Sequence, residues 1–243
     1  MPSTTTTCLP ALLPERTVVP YTQAVTAAPT TRVQQGEETR QNILRLAVNV
    51  ASKRGLEALS IGELAKELDM SKSGLFAHFG SKEDLQIATI EAAEEMFGNA
   101  IIKPAHAANP GLGRLTSLLE GYIRYLERPI FSGGCFFAAA AAEFDDQPGR
   151  VRDRIAKSMR KWFGMIESEC RHAVETGQVD PSTDPQQLAF ELEAYNHHAN
   201  FGRRLMADEG AFNRARRGIH QRLLSIATPR GRALLPSAKT AKL

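Results

Sequence analysis

The residues with the clearest chemical use are Ser71, Lys72, Ser73 and Gly74. They combine one lysine with three small residues at the predicted start of a helix. Small side chains there let backbone N–H groups approach a phosphate, and a lysine reaches either a phosphate or a guanine edge. The chemistry that this run can supply is hydrogen bonding and charge pairing with a nucleic acid.

Short helices with capping residues must position this run. The stretch 60–63 reads S-x-x-E, a capping box that predicts a helix to about Leu68, and residues 68–70 form a turn. Ser71 caps a second helix to about Ala77, and Ser81 caps a long third helix to about Ile102. Two short helices joined by such a turn predict a helix-turn-helix, whose second helix lies in the DNA major groove. From these signals alone, a hairpin inside an ordinary helical bundle is the alternative.

The stretch from about Thr39 to Phe97 resembles the DNA-binding domain of the TetR family of bacterial transcriptional regulators. The match is contiguous and covers about sixty residues. The residues that carry it are Ile43, Leu46, Ala47, Gly55, Leu59, Ser60, Ile61, Leu64, Ala65, Met70, Ser71, Gly74, Leu75, Phe76, His78, Phe79, Ser81, Lys82, Glu83 and Leu85.

The resemblance implies a set of DNA contacts. Residues on the second helix would face the groove, and those at the starts of the neighbouring helices would meet phosphates. Phe79 would be core. The implied contacts are Ser60, Ser71, Lys72, Ser73, Gly74, Phe76, His78 and Lys82.

Two residues depart from the family pattern. Phe76 stands where tyrosine is frequent, so a phosphate hydrogen bond is lost and only van der Waals contact remains. Asp69 stands where glycine is common in the turn, and aspartate tolerates the left-handed region better than most residues. The charge of the module is also modest, since residues 37–85 hold seven Lys/Arg and eight Asp/Glu. Phosphate affinity must then come from local placement rather than from bulk charge.

The remaining chain predicts an all-α fold of about nine helices. Apolar residues recur at helical spacing throughout, and no stretch alternates with period two. We expect an N-terminal three-helix helix-turn-helix domain followed by a C-terminal helical bundle for ligand binding and dimerisation. The predicted divisions are a disordered tail over 1–36, the DNA-binding domain over 37–85, the effector domain over 86–228 and a basic disordered tail over 229–243.

The resemblance implies that the C-terminal bundle encloses a small ligand. Pockets of this kind are mostly apolar with few polar anchors, and Trp162 is the strongest single candidate. The alternative for each residue is a place in the ordinary core. The candidate pocket residues are Phe97, Tyr122, Phe131, Phe137, Trp162, Phe163, Met165 and Ile166.

Two apolar stripes near the carboxyl end predict a homodimer interface built from two helices of each subunit. The same stripes could instead cover the subunit's own core. The candidate interface residues are Leu188, Leu192, Tyr195, Ala199, Phe212, Ile219 and Leu223.

Several classes of protein are disfavoured. No Ser-His-Asp set, nucleotide-binding loop or H-E-x-x-H motif is present, so we predict neither an enzyme nor a cofactor. His197 and His198 diverge on a helix, which argues against metal. The longest apolar run is eight residues, against the ~20 needed to span a bilayer. Three scattered cysteines favour a reducing cytoplasm, and Cys135 is expected to be a buried, inert thiol.

The sequence therefore predicts a cytoplasmic transcriptional regulator that binds double-stranded DNA. We expect a repressor that binds a palindromic operator as a homodimer and is released by a small, largely apolar ligand, without membrane contact. The alternatives are an effector-independent DNA-organising protein and, less favoured, an all-α enzyme. The C-terminal end holds ten Lys/Arg and two Asp/Glu from Asn200 onward. It is either a contact for nucleic acid or an acidic partner, or a solvated helix face followed by a frayed tail.

Overall fold

The computed structural model describes residues 31–128 and 130–236, and this part of the chain is helical with no β-strand. The all-α prediction is confirmed. The described part contains eleven α-helices, two of which are shorter than five residues. They are α1 Arg32–Arg54, α2 Ile61–Glu67, α3 Lys72–Phe79, α4 Lys82–Phe97, α5 Lys103–Ala105, α6 Leu112–Glu127, α7 Phe136–Phe144, α8 Arg150–Glu175, α9 Pro185–Leu205, α10 Ala211–Ile226 and α11 Pro229–Arg232.

Serine caps define the starts of the three helices that follow α1. The side chains of Ser60, Ser71 and Ser81 each accept a hydrogen bond from the backbone N–H three residues later. Asp69, in the turn between α2 and α3, adopts a φ of 53°, the left-handed conformation expected for that position. These local features place α3 across α2 in the helix-turn-helix arrangement.

Helical structure extends further towards both ends of the chain than the predicted tail boundaries allow. α1 begins at Arg32 because Thr31 and Gln34 form a reciprocal capping box, so the predicted tail boundary at residue 36 lies inside a helix. At the other end α11 follows the cap Thr228, and Leu234 and Leu235 pack against the core. The remaining tail residues, 1–30 and 237–243, lie outside the described part.

Helix α4 continues without a break towards the interior of the effector domain. A π-helical turn over Gly98–Ile102 joins α4 to α5, which contains Pro104. A proline inside an α-helix clashes with the carbonyl four residues earlier, and the wider π-turn relaxes that position. The helix predicted to stop near Ile102 therefore runs through Pro104 to Ala105.

The C-terminal bundle is built around α8 and α9. α9 packs between α8 and α10, and α4, α6 and α7 also pack against α8. Aromatic residues fill the space between α4, α6, α7 and α8, and they form one continuous hydrophobic cluster with the core of the DNA-binding domain. This packing places the end of α4 directly beside the candidate ligand cavity.

Candidate DNA-binding surface and ligand cavity

Helix α3 presents one polar face to solvent and one apolar face to the protein. Leu75 and Phe79 are buried and attach α3 to its neighbours. Ser71, Lys72 and Ser73 are exposed at its amino end. Phe76 is 51% exposed, an unusual position for a large apolar side chain, and none of the described residues covers it fully. This exposure fits a surface that another molecule contacts.

The amino end of α3 depends on a small residue at position 74. The hydroxyl of Ser71 accepts from the Gly74 backbone N–H at 3.0 Å and lies 3.2 Å from the Ser73 hydroxyl. A Cβ on Gly74 would stand only 3.0 Å from the Ser71 oxygen. Glycine therefore keeps the cap compact and leaves the backbone at this helix end accessible.

Lys72 joins the amino ends of α2 and α3 into one surface. Its Cε lies 3.1 Å from the place where a Cβ on Gly62 would stand, so the absence of a side chain there makes room for the lysine stem. The Ser60 hydroxyl lies 3.8 Å from the same point. Ser60 and Lys72, twelve positions apart in sequence, are thus neighbours at two adjacent helix amino ends, where backbone N–H groups favour anions.

Lys82 forms an ion pair with Glu57, which the sequence did not indicate as a functional residue. Its Nζ donates to Glu57 Oε1 at 2.6 Å, and Gln86 Nε2 donates to the other Glu57 oxygen at 3.1 Å. These hydrogen bonds, from Lys82 first and then Gln86, lower the pKa of Glu57 below its usual value. Both charged side chains are largely exposed. A DNA phosphate at Lys82 must therefore compete with the Glu57 carboxylate.

Arg40 supports the far end of α3. Its guanidinium donates to the backbone carbonyl of His78 at 2.6 Å and stands 4.5 Å above the centre of the Phe79 ring. The His78 side chain is half-buried beside it. In the sequence pattern, Arg40 lies on the polar face of α1. Its hydrogen bond to the carboxyl end of α3, the candidate recognition helix, is therefore apparent only in the folded chain.

A cavity of about 90 Å³ opens between α4, α6, α7, α8 and α9. Four of the eight predicted pocket residues line it: Phe97, Tyr122, Phe137 and Trp162. The other residues that line it are Glu94, Gly98, Ile102, Cys135, Ala138, Ser158, Met159, Lys161 and His197.

The other four predicted pocket residues lie elsewhere. Phe131 and Ile166 are buried in the core away from the cavity, and Phe131 packs against Tyr125. Phe163 is 38% exposed on the outer side of α8, beside His197. Met165 borders a shallow outer depression near Lys103. For α8, the sequence pattern indicated the correct helix but not which of its residues line the cavity.

Edge-to-face aromatic contacts form the apolar wall of the cavity. Phe97 stands at 5.1 Å and 90° to Trp162, at 5.8 Å to Phe137 and at 6.2 Å to Tyr122, measured between ring centroids. Tyr122 and Trp162 lie nearly parallel, with 29° between their planes. Because Phe97 is the last residue of α4, the aromatic wall is attached directly to that helix.

The charged rim of the cavity is internally neutralised. Glu94 accepts hydrogen bonds from Lys161 at 2.6 Å, Arg154 at 2.7 Å and Ser158 at 3.0 Å. Burial raises the pKa of Glu94, but these hydrogen bonds outweigh it and bring the pKa to about 2. The rim therefore offers a ligand little unpaired charge.

A buried carboxyl group lies behind the aromatic wall. Glu193 of α9 is 5% exposed, and its Oε2 accepts from the Trp162 indole N–H at 2.8 Å. Burial raises the pKa of Glu193 to about 7, against the opposing effects of the Trp162 N–H and the nearby Asn196 amide. Cys135 is also buried, as expected, and burial raises the pKa of its thiol.

The predicted dimer residues are mostly covered by their own subunit. Only Tyr195 is partly exposed, at 38%. A side chain that is already buried has almost no area left to lose to a second chain, so this placement favours the alternative, in which six of the residues cover the subunit's own core. They are Leu188, Leu192, Ala199, Phe212, Ile219 and Leu223.

A different stripe of α9 is exposed and apolar. Phe190 and Leu205 are each 71% exposed and Phe201 is 50% exposed. They are spaced by eleven and four residues, which keeps them on one face of the helix.

Two further findings concern sites of other kinds. No helix in the described ranges is long and apolar enough to cross a membrane. Within the same ranges, no three His, Cys, Asp or Glu side chains are grouped so that they could hold a metal ion.

Two family profiles match the chain and together cover more than half of it. The profile described as "Bacterial regulatory proteins, tetR family" matches residues 43–89. The profile described as "Tetracyclin repressor-like, C-terminal domain" matches residues 111–219. The first match contains the whole helix-turn-helix, and the second contains most of the cavity.

Characterised relatives include two transcriptional regulators. The chain is 33% identical to the HTH-type transcriptional regulator AcrR of Shigella flexneri over 166 residues, which are 67% of this chain and 76% of that protein. It is 36% identical to the HTH-type transcriptional repressor NicS of Pseudomonas putida over 151 residues, 61% of this chain and 67% of that one.

Solved structures share the fold. A TetR transcriptional regulator from Chloroflexus aurantiacus superposes with a TM-score of 0.70 at 23% identity, covering 79% of this chain and 98% of that one. AibR, solved in complex with isovaleryl coenzyme A and operator DNA, superposes with a TM-score of 0.56 at 22% identity, covering 66% of this chain and 85% of that one.

Proposed function

The chain belongs to the TetR family of bacterial transcriptional regulators, and we propose that it represses transcription from a palindromic operator until a small ligand releases it. The family assignment makes it a DNA-binding regulator rather than an enzyme. The observation that carries the proposal is the single surface on which Ser60, Lys72 and the exposed face of α3 lie together.

We assign the recognition of DNA bases to α3, and the phosphate contacts that position the protein on the DNA to the neighbouring helix ends. Lys72 and Ser73 are the candidate readers of base edges, since they are exposed at the amino end of α3. Ser60, His78 and Lys82 are the candidate phosphate contacts, with Phe76 packing against the sugar-phosphate backbone. Phosphate contacts fix register and base contacts specify sequence.

A homodimer would present two copies of α3 to the two half-sites. Half-sites of a palindrome lie about 34 Å apart or a multiple of that distance. We assign the subunit contact to the face of α9 that exposes Phe190, Phe201 and Leu205, together with α10, against which Tyr195 packs at Gly218. A large exposed apolar patch of this kind marks a protein interface, and obligate interfaces bury on the order of 2,000 Å² or more.

The ligand would enter the aromatic cavity and act on α4. AibR, which shares the fold, was solved with both a small ligand and operator DNA bound. In this chain Phe97 connects the cavity to α4, and α4 begins directly after α3. A ligand that displaces Phe97 would tilt α4 and change the separation of the two α3 helices. We expect this regulator to act in the cytoplasm, where its DNA target and metabolite ligands meet.

Selection of bound fragments from random duplex DNA tests the proposal. The wild-type protein should enrich one palindromic sequence, and Lys72→Ala should change the preferred bases at defined positions. Lys53→Ala is the matched control, because Lys53 is an exposed lysine at the carboxyl end of α1 outside the assigned surface. Enrichment of no sequence, or an unchanged preference in Lys72→Ala, would refute base reading by this residue.

A further inference from the structure

Gly98 is a glycine that its own backbone conformation does not require. It begins the π-helical turn after α4 with φ of −58° and ψ of −45°, helical values that any residue adopts. A Cβ on Gly98 would meet no heavy atom within 4 Å. Glycine is among the least favourable residues inside a helix, and π-turns are frequent at functional sites. The open space beside Gly98 therefore calls for a use.

This space lies between the aromatic cavity and an outer depression. The depression has a volume of about 580 Å³ and lies between α4, the π-turn, α5 and α8. Four residues line both the cavity and the depression: Glu94, Gly98, Ile102 and Lys161. Gly98 is the one of these four that has no side chain, so the boundary between the two spaces is open at its position.

The two spaces differ in the chemistry of their walls. The inner cavity is bounded largely by aromatic rings and other apolar side chains. The depression is lined mainly by charged and polar side chains, which include Glu91, Glu95, Asn99, Lys103 and Arg154. A molecule that spans the boundary must therefore be apolar at one end and polar at the other.

The volume of the inner cavity limits the size of the apolar end. An apolar protein cavity of about 150 Å³ binds benzene, which corresponds to about 25 Å³ for each carbon atom. At that ratio, the cavity of about 90 Å³ holds about three or four carbon atoms. A propyl or butyl group fits this space, whereas a phenyl ring would have to displace the aromatic wall.

We propose that the ligand carries a short alkyl group of about three or four carbons on a larger polar body, and that the alkyl group enters the cavity past Gly98. The inference rests on the proposed function, since it names the chemical class of the effector. The alkyl group would lie against Phe97, Phe137 and Trp162, and the polar body would remain in the depression. Phe97 directly precedes Gly98, so the entrance adjoins the end of α4.

The ion pair beside Gly98 does not require a charged ligand. Lys161 Nζ donates to Glu94 Oε1 at 2.6 Å, and the lysine side chain is 65% exposed, so it can move into solvent. Arg154 and Ser158 donate to the other oxygen of Glu94 and would still hold its charge. A neutral polar body can therefore pass this rim, and neutral probes are sufficient for a test.

Alkyl probes test the size limit and the orientation of the ligand. Trp162 lines the cavity and is the only tryptophan of the sequence, so its fluorescence reports occupancy in the DNA-free full chain. Affinity for 1-alkanols should rise by about 4-fold per carbon up to butanol and by less than about 2-fold per carbon beyond pentanol. Butyl β-glucoside, whose sugar is too large for the cavity, should bind at least as tightly as butanol.

Three results with these probes would contradict the inference. A constant increment of about 4-fold per carbon up to octanol would refute the size limit. Binding of butanol without binding of butyl glucoside would show that the ligand is wholly enclosed, which refutes the open entrance. The absence of a Trp162 response to every probe would overturn the assignment as a whole.

Substitutions at Gly98 test the entrance itself. Gly98→Leu fills the open space and should weaken binding of butyl glucoside by about 10-fold or more. Gly98→Ala, whose methyl group meets no neighbour, should cause a smaller loss in the same direction. Gly164→Leu is the matched control, because Gly164 lies within α8, has equally free space and lines neither the cavity nor the depression. Unchanged affinity in Gly98→Leu, or an equal loss in Gly164→Leu, would place the entrance elsewhere.

The outcomes distinguish this inference from the proposed function. Probe binding by the DNA-free protein tests the ligand class, whereas release of a selected operator fragment by the tightest probe tests regulation. Binding without release would uphold the ligand class and contradict ligand-induced release. Release by compounds whose effect is unchanged in Gly98→Leu would uphold regulation and contradict this entrance.

Discussion

Replacing Glu193 by glutamine should remove one pH-dependent component of folding stability. The group is buried with a pKa of about 7 in the folded chain, against an ordinary value of 4.5. A carboxyl group whose pKa is raised on folding stabilises the folded state fully below its ordinary pKa. That contribution is lost as the pH rises through the folded pKa. Glutamine is neutral at every pH and cannot show this dependence.

The magnitude follows from the two pKa values. The bound proton favours folding by roughly 2 to 3 kcal/mol at pH 5 and by almost nothing at pH 8. The stability of the wild type relative to Glu193→Gln should therefore fall by roughly 2 to 3 kcal/mol between these two pH values. With an m-value of about 2.5 kcal/mol/M in urea, the relative midpoint shifts by about 1 M. At pH 8 the variant should be the more stable protein.

Urea unfolding at pH 5 and pH 8 measures this difference. The protein concentration is kept fixed, because the apparent stability of a dimer would depend on it. Comparison of variants at each pH cancels the titration of all other groups. Glu191→Gln is the control, since a hydrogen bond from Arg222 lowers the pKa of Glu191 below its usual value, whereas burial raises that of Glu193. A relative change under 0.5 kcal/mol would show that Glu193 is not desolvated as the structure places it.

The other predictions concern DNA, assembly and signalling. Lys82→Ala should weaken binding to all duplexes alike and reduce the salt slope by about one unit, and an unchanged slope would remove it from the phosphate contacts. Glu57→Gln should raise DNA affinity in filter-binding assays, because the carboxylate that competes for Lys82 is gone; unchanged affinity would contradict this competition. Phe201→Glu should give folded monomers by light scattering, and a stable dimer would place the interface elsewhere. Trp162→Ala should blunt ligand-induced release while leaving operator affinity nearly intact, and normal induction would exclude this cavity.

The helix-turn-helix was predictable because its signals are local. Serine caps, the tight turn at Asp69 and the spacing of Leu75 and Phe79 act over a few residues, and the structure reproduces each of them. The partners of those residues were not predictable. The Lys82–Glu57 ion pair joins residues 25 positions apart. Lys82 is the first residue of α4 and Glu57 lies in the loop before α2. No periodic sequence pattern predicts a contact between two such positions.

The apolar stripes of α9 show a second limit of sequence reasoning. The helix carries two of them: Leu188 and Leu192 belong to a buried stripe, while Phe190, Phe201 and Leu205 belong to an exposed one. Helical spacing identifies both stripes equally well. Which one faces the subunit's own core depends on how α8 and α10 pack around α9, and that is a tertiary property.

Glu193 illustrates the same limit for the cavity. A glutamate within a helix ordinarily lies in solvent, and its neighbours in sequence give no sign of burial. Trp162, its hydrogen-bond partner, lies 31 residues away on α8. Trp162 itself was predictable as a pocket residue because it is a large aromatic residue on a central helix, but its polar partner required the folded chain.

Helix α7 provides a second connection between the cavity and the DNA-binding surface. Phe137 lines the cavity near the start of α7, and Glu143 near its end accepts hydrogen bonds from the backbone N–H groups of Leu56 and Glu57 at 2.6 and 3.0 Å. The loop before α7 is equally close to α1, since a Cβ on Gly133 would stand 1.6 Å from the Ser52 carbonyl oxygen. α7 is thus fixed to the DNA-binding domain at both ends.

The two connections converge on the same ion pair. α4 connects Phe97 to Lys82 at the start of the helix, and α7 connects Phe137 to Glu57 through Glu143. A ligand shifts a conformational equilibrium only by its differential affinity for the two states. A ligand held between Phe97 and Phe137 would meet both helices at once, so its contact energy would act on the position of Lys82 and on that of its competitor Glu57. Coupling of this kind needs no large rearrangement, because a small change in the Lys82–Glu57 distance alters how readily Lys82 is released to a DNA phosphate.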